Sequence, residues 1–303
     1  MMKIGKFLLS ALLRLFGLLP LKVHYAFAHF LAWLAGSVLG YRRDDVAINL
    51  ARSFPDKKYA ELIRIRKDFY LHFADIVVET VWFGACNARR LKKQRIVEIV
   101  NPEVIGHLYE IAPSVVVMYS HCGNWELYGG FVFYNYSEID THIREDNFCV
   151  VYKRMTSKVW DEILAENRCA PLKDPKGFQG YLESNDVVRY IFSHKGEKKI
   201  YNFNTDQSPY QNSTANIDIE FMHQKTKTMT AAAALARKFG MAVAYLNMRP
   251  DRRGHYLLEY TTICEDASSM TPAEIMGRYY ELLEKDLNAM PHNYLWTHRR
   301  WKL

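Results

Sequence analysis

Two apolar runs open the chain. Residues 7–19 read Phe-Leu-Leu-Ser-Ala-Leu-Leu-Arg-Leu-Phe-Gly-Leu-Leu, and a second run covers 26–39. Pro20 separates them and favours a helix break at Leu19. The pattern then becomes amphipathic. Asp44 or Asp45 is placed to cap a helix running through Leu50, and Ser53-Phe54-Pro55-Asp56 breaks it. Over 56–83, Leu62, Ile65, Phe69, Phe73, Ile76 and Val77 recur at spacings of three and four, which predicts a long helix. Residues 114–120 carry a β-branched run with no polar alternation, as in a buried parallel strand. Further strands are predicted at 148–152, 187–193, 200–205, 217–222, 241–248 and 256–263. Helices are predicted at 159–168, 229–239 and 272–289, with an apolar helix-like segment at 127–136. Strands alternating with helices predict an α/β fold: a mixed central sheet flanked by helices.

The amino-terminal runs admit three readings. A secretory signal would use Ala26-Phe27-Ala28 as its cleavage site, but apolar character resumes at Phe30. A spanning helix needs about 20 apolar residues, and 7–19 is shorter with Arg14 at its middle. The favoured reading is two short helices lying in one leaflet, with Lys3, Lys6, Lys22, Arg42 and Arg43 among anionic headgroups on the cytoplasmic side. The expected organisation is a membrane-associated helical segment over 1–43 and one α/β domain over 44–303.

Composition narrows the partner. Lys plus Arg is 40 against 33 for Asp plus Glu, a net charge of +7 that suits an anionic partner. The basic residues are dispersed and apolar helices lead the chain, which disfavours nucleic acid. Cys86, Cys122, Cys149, Cys169 and Cys264 are odd in number and form no CxxC pair, against a disulfide framework or a thiolate zinc site.

The predicted strand 114–120 delivers the chain to His121-Cys122-Gly123-Asn124-Trp125-Glu126. Histidine, with an ordinary pKa of about 6.5, suits the removal of a proton from an attacking hydroxyl, and a carboxylate at the other ring nitrogen would orient it. On a continuous helix His121 and Glu126 would stand about 140° apart. They can meet if His121 ends the strand, Gly123 turns the chain and Glu126 enters the first helical turn, with Asn124 as cap. Free amides at that helix start would suit a phosphate or an oxyanion. A metal site of His121, Cys122 and Glu126 lacks a further ligand cluster, so no metal is expected.

Taken together, these segments resemble a known family. Ser120-His121-Cys122-Gly123-Asn124-Trp125-Glu126 is similar to the His-x-Gly-Asn-Trp-Glu block of the bacterial lipid A biosynthesis acyltransferases, the late, lauroyl/myristoyl-type enzymes of the lysophospholipid acyltransferase superfamily. Tyr41-Arg42-Arg43, Asn49-Leu50 and Ser53-Phe54-Pro55 resemble its segment after the membrane-binding start. Val151-Tyr152-Lys153 with Asp161 resembles its second block, and Asp206-Gln207-Ser208-Pro209 its third. The ending Tyr294-Leu295-Trp296-Thr297-His298-Arg299-Arg300-Trp301-Lys302 resembles its carboxyl terminus. The resemblance covers about 5–303. It implies a glycerolipid-acyltransferase-like fold and transfer of a fatty acyl chain from acyl carrier protein to a hydroxyl of a lipid A precursor. The setting it implies is the cytoplasmic face of the inner membrane, peripheral or monotopic, with no bound cofactor. It places the His-x4-acid dyad on His121 and Glu126. Lys153 stands where many members have Arg, with Arg154 adjacent, and either can bind phosphate. Asn124, Lys153, Arg154, Asp206, Arg299 and Arg300 are the candidate substrate-binding residues. Asp206, at a predicted strand end, would orient acceptor hydroxyls or neighbouring site residues. Arg299 and Arg300, with Trp296 and Trp301, suit anionic headgroups. A lipid esterase, or an acyltransferase using another acceptor such as an amino-acid lipid, is the alternative.

Overall fold

The run Val115–Tyr119 (β2) becomes the central strand its composition predicts, with every residue buried. The computed structural model describes residues 2–209 and 216–301. Around β2 lie Ile200–Asn204 (β5) on one side and Ala242–Arg252 (β8) on the other, both parallel to it. The remaining strands of the sheet are Val97–Ile99 (β1), Phe148–Tyr152 (β3), Tyr181–Glu183 (β4) and His255–Cys264 (β9). The order is β1-β9-β8-β2-β5-β3-β4. The five strands from β8 to β4 run parallel, and β9 is antiparallel to β8. Asn216–Phe221 (β6) and Gln224–Met229 (β7) form a separate antiparallel pair.

Side chains of β2 alternate between two cores because successive residues point to opposite faces. Val116 and Met118 join the core under Val46, Phe69, Tyr245 and Tyr279, whereas Val115, Val117 and Tyr119 join the one under Leu91, Ile105 and Leu127. Helices cover both faces. They are Met2–Gly17 (α1), Leu21–Trp33 (α2), Arg43–Ser53 (α3), Tyr59–Phe83 (α4), Ala88–Gln94 (α5), Pro102–Ile111 (α6), Lys158–Cys169 (α7), Val187–Ser193 (α8), Ala231–Lys238 (α9) and Pro272–Ala289 (α10). This is the mixed α/β sheet with flanking helices that the pattern predicts.

Four local expectations are corrected. Residues 187–193, read as a strand from their β-branched content, form α8, which buries Val187 and Ile191 one helical turn apart. The apolar segment expected at 127–136 is a 3₁₀ helix over Trp125–Phe133. Asp44 and Asp45 sit inside the first turn of α3 rather than capping it, since the chain turns at Arg42 (φ 50°). The helix expected over 229–239 starts at Ala231 because Met229 still belongs to β7.

At the amino terminus the chain breaks at Pro20, and the two helices meet at 116°. Helix α2 lies on α4 through Ala28, packed with Ala74 and Val78. The outer faces stay apolar and exposed: Phe7, Leu8, Leu12 and Leu15 on α1, and Phe27, Phe30 and Trp33 on α2. Among the described residues no single helix is long and apolar enough to cross a membrane, while this bent pair passes jointly by length and composition.

Candidate active site

His121 lies two residues past the end of β2, and Asp206 two residues past the end of β5. The register pairs Tyr119 with Asn204, and Thr205 N–H donates to Tyr119 O at 3.0 Å. Two residues further on, the same parallel pairing brings His121 beside Asp206. The ring Nδ1–H donates to Asp206 Oδ1 at 2.8 Å, and the His121 backbone N–H donates to Oδ2 at 3.2 Å. Because a carboxylate only accepts, this contact puts the ring proton on Nδ1 and leaves Nε2 as an acceptor. Asp206 is fully buried, which would raise its carboxyl, but the His121 ring and its two hydrogen bonds outweigh burial and hold it below the usual carboxylate range.

The free nitrogen meets two amides. Asn204 Nδ2 and Gln207 Nε2 each stand 3.1 Å from His121 Nε2. Trp125 packs edge-on against the imidazole, with ring centroids 4.8 Å apart. The His121 side chain is 14% exposed.

The expected turn is present, and the expected partner is not. Gly123 takes φ +62°, and a side chain there would meet Met248. Asn124 caps the following 3₁₀ helix, its side-chain oxygen accepting Glu126 N–H at 3.2 Å. Glu126, however, turns to α7. Arg168 donates to both of its oxygens, Nε to Oε2 at 2.7 Å and Nη2 to Oε1 at 2.8 Å. Burial opposes charge on Arg168, but Glu126 more than compensates and raises its pKa. The pair expected as His121–Glu126 is therefore two pairs, His121–Asp206 and Glu126–Arg168, and both carboxylates belong to the immediate surroundings of the turn. Its backbone is held from a third side by Asn293, whose Oδ1 accepts Gly123 N–H at 2.8 Å.

Lys153 and Arg154 are exposed just beyond β3, at the same carboxyl edge of the sheet as His121. The carboxyl terminus departs from the headgroup-facing arrangement expected for it. Trp296 is fully buried, and its indole N–H donates to Pro291 O. Arg300 is also buried. Its guanidinium donates to Tyr280 Oη at 2.8 Å, and its backbone oxygen accepts the Ser208 hydroxyl at 2.6 Å, so it braces the segment after Asp206. Arg299 remains exposed and donates to Asp45. Lys302 lies outside the described residues. Burial pushes the Cys122 thiol up and so disfavours its thiolate.

Sequence reasoning missed Asn204, Gln207 and Arg168. Gln207 lay inside a quoted motif, and Asn204 stands two residues before Asp206 on the same strand end. Arg168 carried no local signal, since only the packing of α7 on the 3₁₀ helix brings it to Glu126.

At the carboxyl edge of its parallel strands the protein thus holds a carboxylate-oriented histidine whose second nitrogen is met by two amides. Over residues 1–303, its whole length, the chain matches the family model described as bacterial lipid A biosynthesis acyltransferase, and it belongs to that family. It is thus an acyltransferase of lipid A biosynthesis. A comparison with curated protein sequences gives no significant match.

Proposed function

We propose that the protein moves a fatty acyl chain from acyl carrier protein to a hydroxyl of an anionic lipid A precursor at the cytoplasmic face of the inner membrane, with His121 as general base and Asp206 as the group that orients it. The observation that carries this reading is the 2.8 Å contact from His121 Nδ1 to Asp206, which leaves Nε2 free to accept a proton.

The acceptor hydroxyl takes the place of the amides at Nε2. As its oxygen bonds to the thioester carbonyl carbon, its proton passes to Nε2, and Asp206 stabilises the imidazolium. The displaced Asn204 and Gln207 amides then stand as donors beside the carbonyl oxygen that becomes the oxyanion. Collapse of the tetrahedral intermediate breaks the carbon–sulfur bond, and the imidazolium proton goes to the leaving thiolate. Glu126, tied to Arg168, keeps the start of the 3₁₀ helix in place. Lys153 and Arg154, at the same sheet edge, suit phosphate on donor or acceptor. The exposed apolar faces of α1 and α2 suit one leaflet of a membrane.

The test is product analysis by mass spectrometry with purified enzyme, carrier-protein and coenzyme A donors of equal chain length, and lipid A precursor in micelles. One added acyl chain on the precursor, abolished by His121→Ala, supports the reading. Acylation of a different lipid moves the acceptor, release of free fatty acid makes the enzyme a hydrolase, and full activity of folded His121→Ala removes the base.

A further inference from the structure

Behind the catalytic turn, Glu79 of α4 is wholly buried and accepts three hydrogen bonds. Its Oε1 accepts the Tyr25 hydroxyl at 2.7 Å, and its Oε2 accepts the Asn124 side-chain amide at 2.9 Å and the Tyr256 hydroxyl at 2.8 Å. The three donors come from α2, from the turn after β2 and from β9. A carboxylate taken out of water is costly unless its oxygens are satisfied, and here neutral donors from three elements satisfy them.

Asn124 is the pivot. Its amide nitrogen is fixed by Glu79, and its oxygen caps Glu126 N–H, so the orientation of one side chain links α4 to the turn that carries His121. Tyr25 is seated as firmly. Arg253 donates to the Tyr25 carbonyl oxygen at 3.1 Å, lies 4.6 Å over its ring and forms a two-point pair with Asp75. Gly254 (φ +79°) keeps clear the space where a side chain would meet the Tyr25 hydroxyl at 2.6 Å. Tyr25 sits on the same short helix whose outer face exposes Val23, Phe27 and Phe30.

We propose that Glu79 is a positioning residue for acyl transfer, tying Tyr25 of the exposed apolar helix pair to the Asn124 turn, so that seating of α2 on the body sets the geometry around His121. The proposal rests on the assignment of His121 as base. Replacing Glu79 with Gln keeps the shape but leaves one NH₂ group facing at least one of three donors. With the NH₂ toward Asn124, that side chain keeps only its long contact to Ile76 O at 3.4 Å; with it toward Tyr25, the Tyr25 hydroxyl must turn from donor to acceptor, so either orientation alters the chain of bonds from α2 to the turn.

The experiment uses the full chain: wild type, Glu79→Gln, Tyr25→Phe and the double variant, with carrier-protein donor and lipid A precursor in micelles. Melting curves are recorded for each, and kcat is taken per folded enzyme. The expected result for Glu79→Gln is a kcat lower by about tenfold or more, with KM for both substrates within about threefold of wild type, because Glu79 is enclosed away from substrate. Tyr25→Phe should lower kcat by about threefold, and the double variant should match Glu79→Gln within about twofold, since both act through one chain of contacts. A folded Glu79→Gln enzyme with kcat within about twofold of wild type overturns the proposal, as do multiplicative losses in the double variant or effects confined to KM. If Glu79→Gln does not fold, Tyr25→Phe decides alone by the same kcat criterion. A His121→Ala control that keeps full activity would instead refute the base assignment, so the two failures are told apart.

Discussion

Replacing Asp206 with Asn tests the site at its narrowest point. The carboxylate serves two donors at once, the His121 ring through Oδ1 and the His121 backbone N–H through Oδ2. An asparagine has one oxygen and one NH₂. The backbone N–H can only donate, so the oxygen must face it and the NH₂ must face the ring. Nδ1 then becomes the acceptor, the ring proton moves to Nε2, and the nitrogen meant to receive the hydroxyl proton already holds one. The expected loss is that of general-base catalysis, about 10²–10⁴ in kcat, or roughly 3–5 kcal/mol of barrier. KM should change little, because neither oxygen reaches substrate in this arrangement. The assay is initial rate against each substrate with folded, purified enzyme, and Glu126→Gln is run in parallel. Because Glu126 is bound to Arg168 rather than to the imidazole, its neutral variant should lose stability more than turnover per folded molecule. An Asp206→Asn enzyme retaining more than a third of wild-type kcat, or a Glu126→Gln enzyme losing as much per folded molecule, would refute the assignment.

Three further outcomes are expected. Arg168→Met should destabilise the fold by about 3–5 kcal/mol in chemical denaturation, because it leaves Glu126 charged and enclosed, and adding Glu126→Leu should restore most of the loss. Burial raises Glu79 to about 7 from an ordinary 4.5, partly offset by its bonds to Asn124, Tyr25 and Tyr256. The folded protein therefore holds this proton more tightly than the unfolded chain, so the contribution is full below about pH 4.5 and is lost as pH rises to about 7. Wild type should lose about 3 kcal/mol relative to Glu79→Gln across that window in paired denaturation curves, and parallel curves would contradict it. Leu12→Glu with Leu15→Glu, both on the exposed face of α1, should lower binding to anionic vesicles by tenfold or more in sedimentation while leaving the melting temperature unchanged.

The β2 run, the break at Pro20, the strand 148–152 and the helix 272–289 were legible because each carries its own periodicity or its own punctuation. Thr271 and Glu274 even form a capping box around the start of α10, with Pro272 as its first helical residue. The strands β1 and β4 were not legible, since three residues are too few to show alternation. Polar β7 has no apolar alternation of its own, and its buried Thr226 and Thr228 meet Trp301 and Tyr280 from distant elements. In the site, the position of His121 and the cap at Asn124 could be read from the turn alone. The partner of the imidazole could not, because it depends on which strand lies next to β2, and strand order is a tertiary fact. Asp206 was recognised as a strand-end residue, but the neighbour it serves is set by the β2–β5 pairing.

That pairing separates chemistry from chain length. His121 and Asp206 stand 85 positions apart in sequence, yet the ladder between β2 and β5 brings them together. Of the chain between them, β3 belongs to the sheet and Asn124, Trp125, Glu126 and Arg168 hold the turn, whereas the long connection from the 3₁₀ helix to β3 and the stretch from α7 to β4 supply none of these contacts. Insertions there can reshape the surface that meets a hydrocarbon tail or a sugar headgroup without moving the imidazole against its carboxylate. A lineage built on this arrangement can change what it acylates, and with how long a chain, while inheriting the His121–Asp206 pair unaltered.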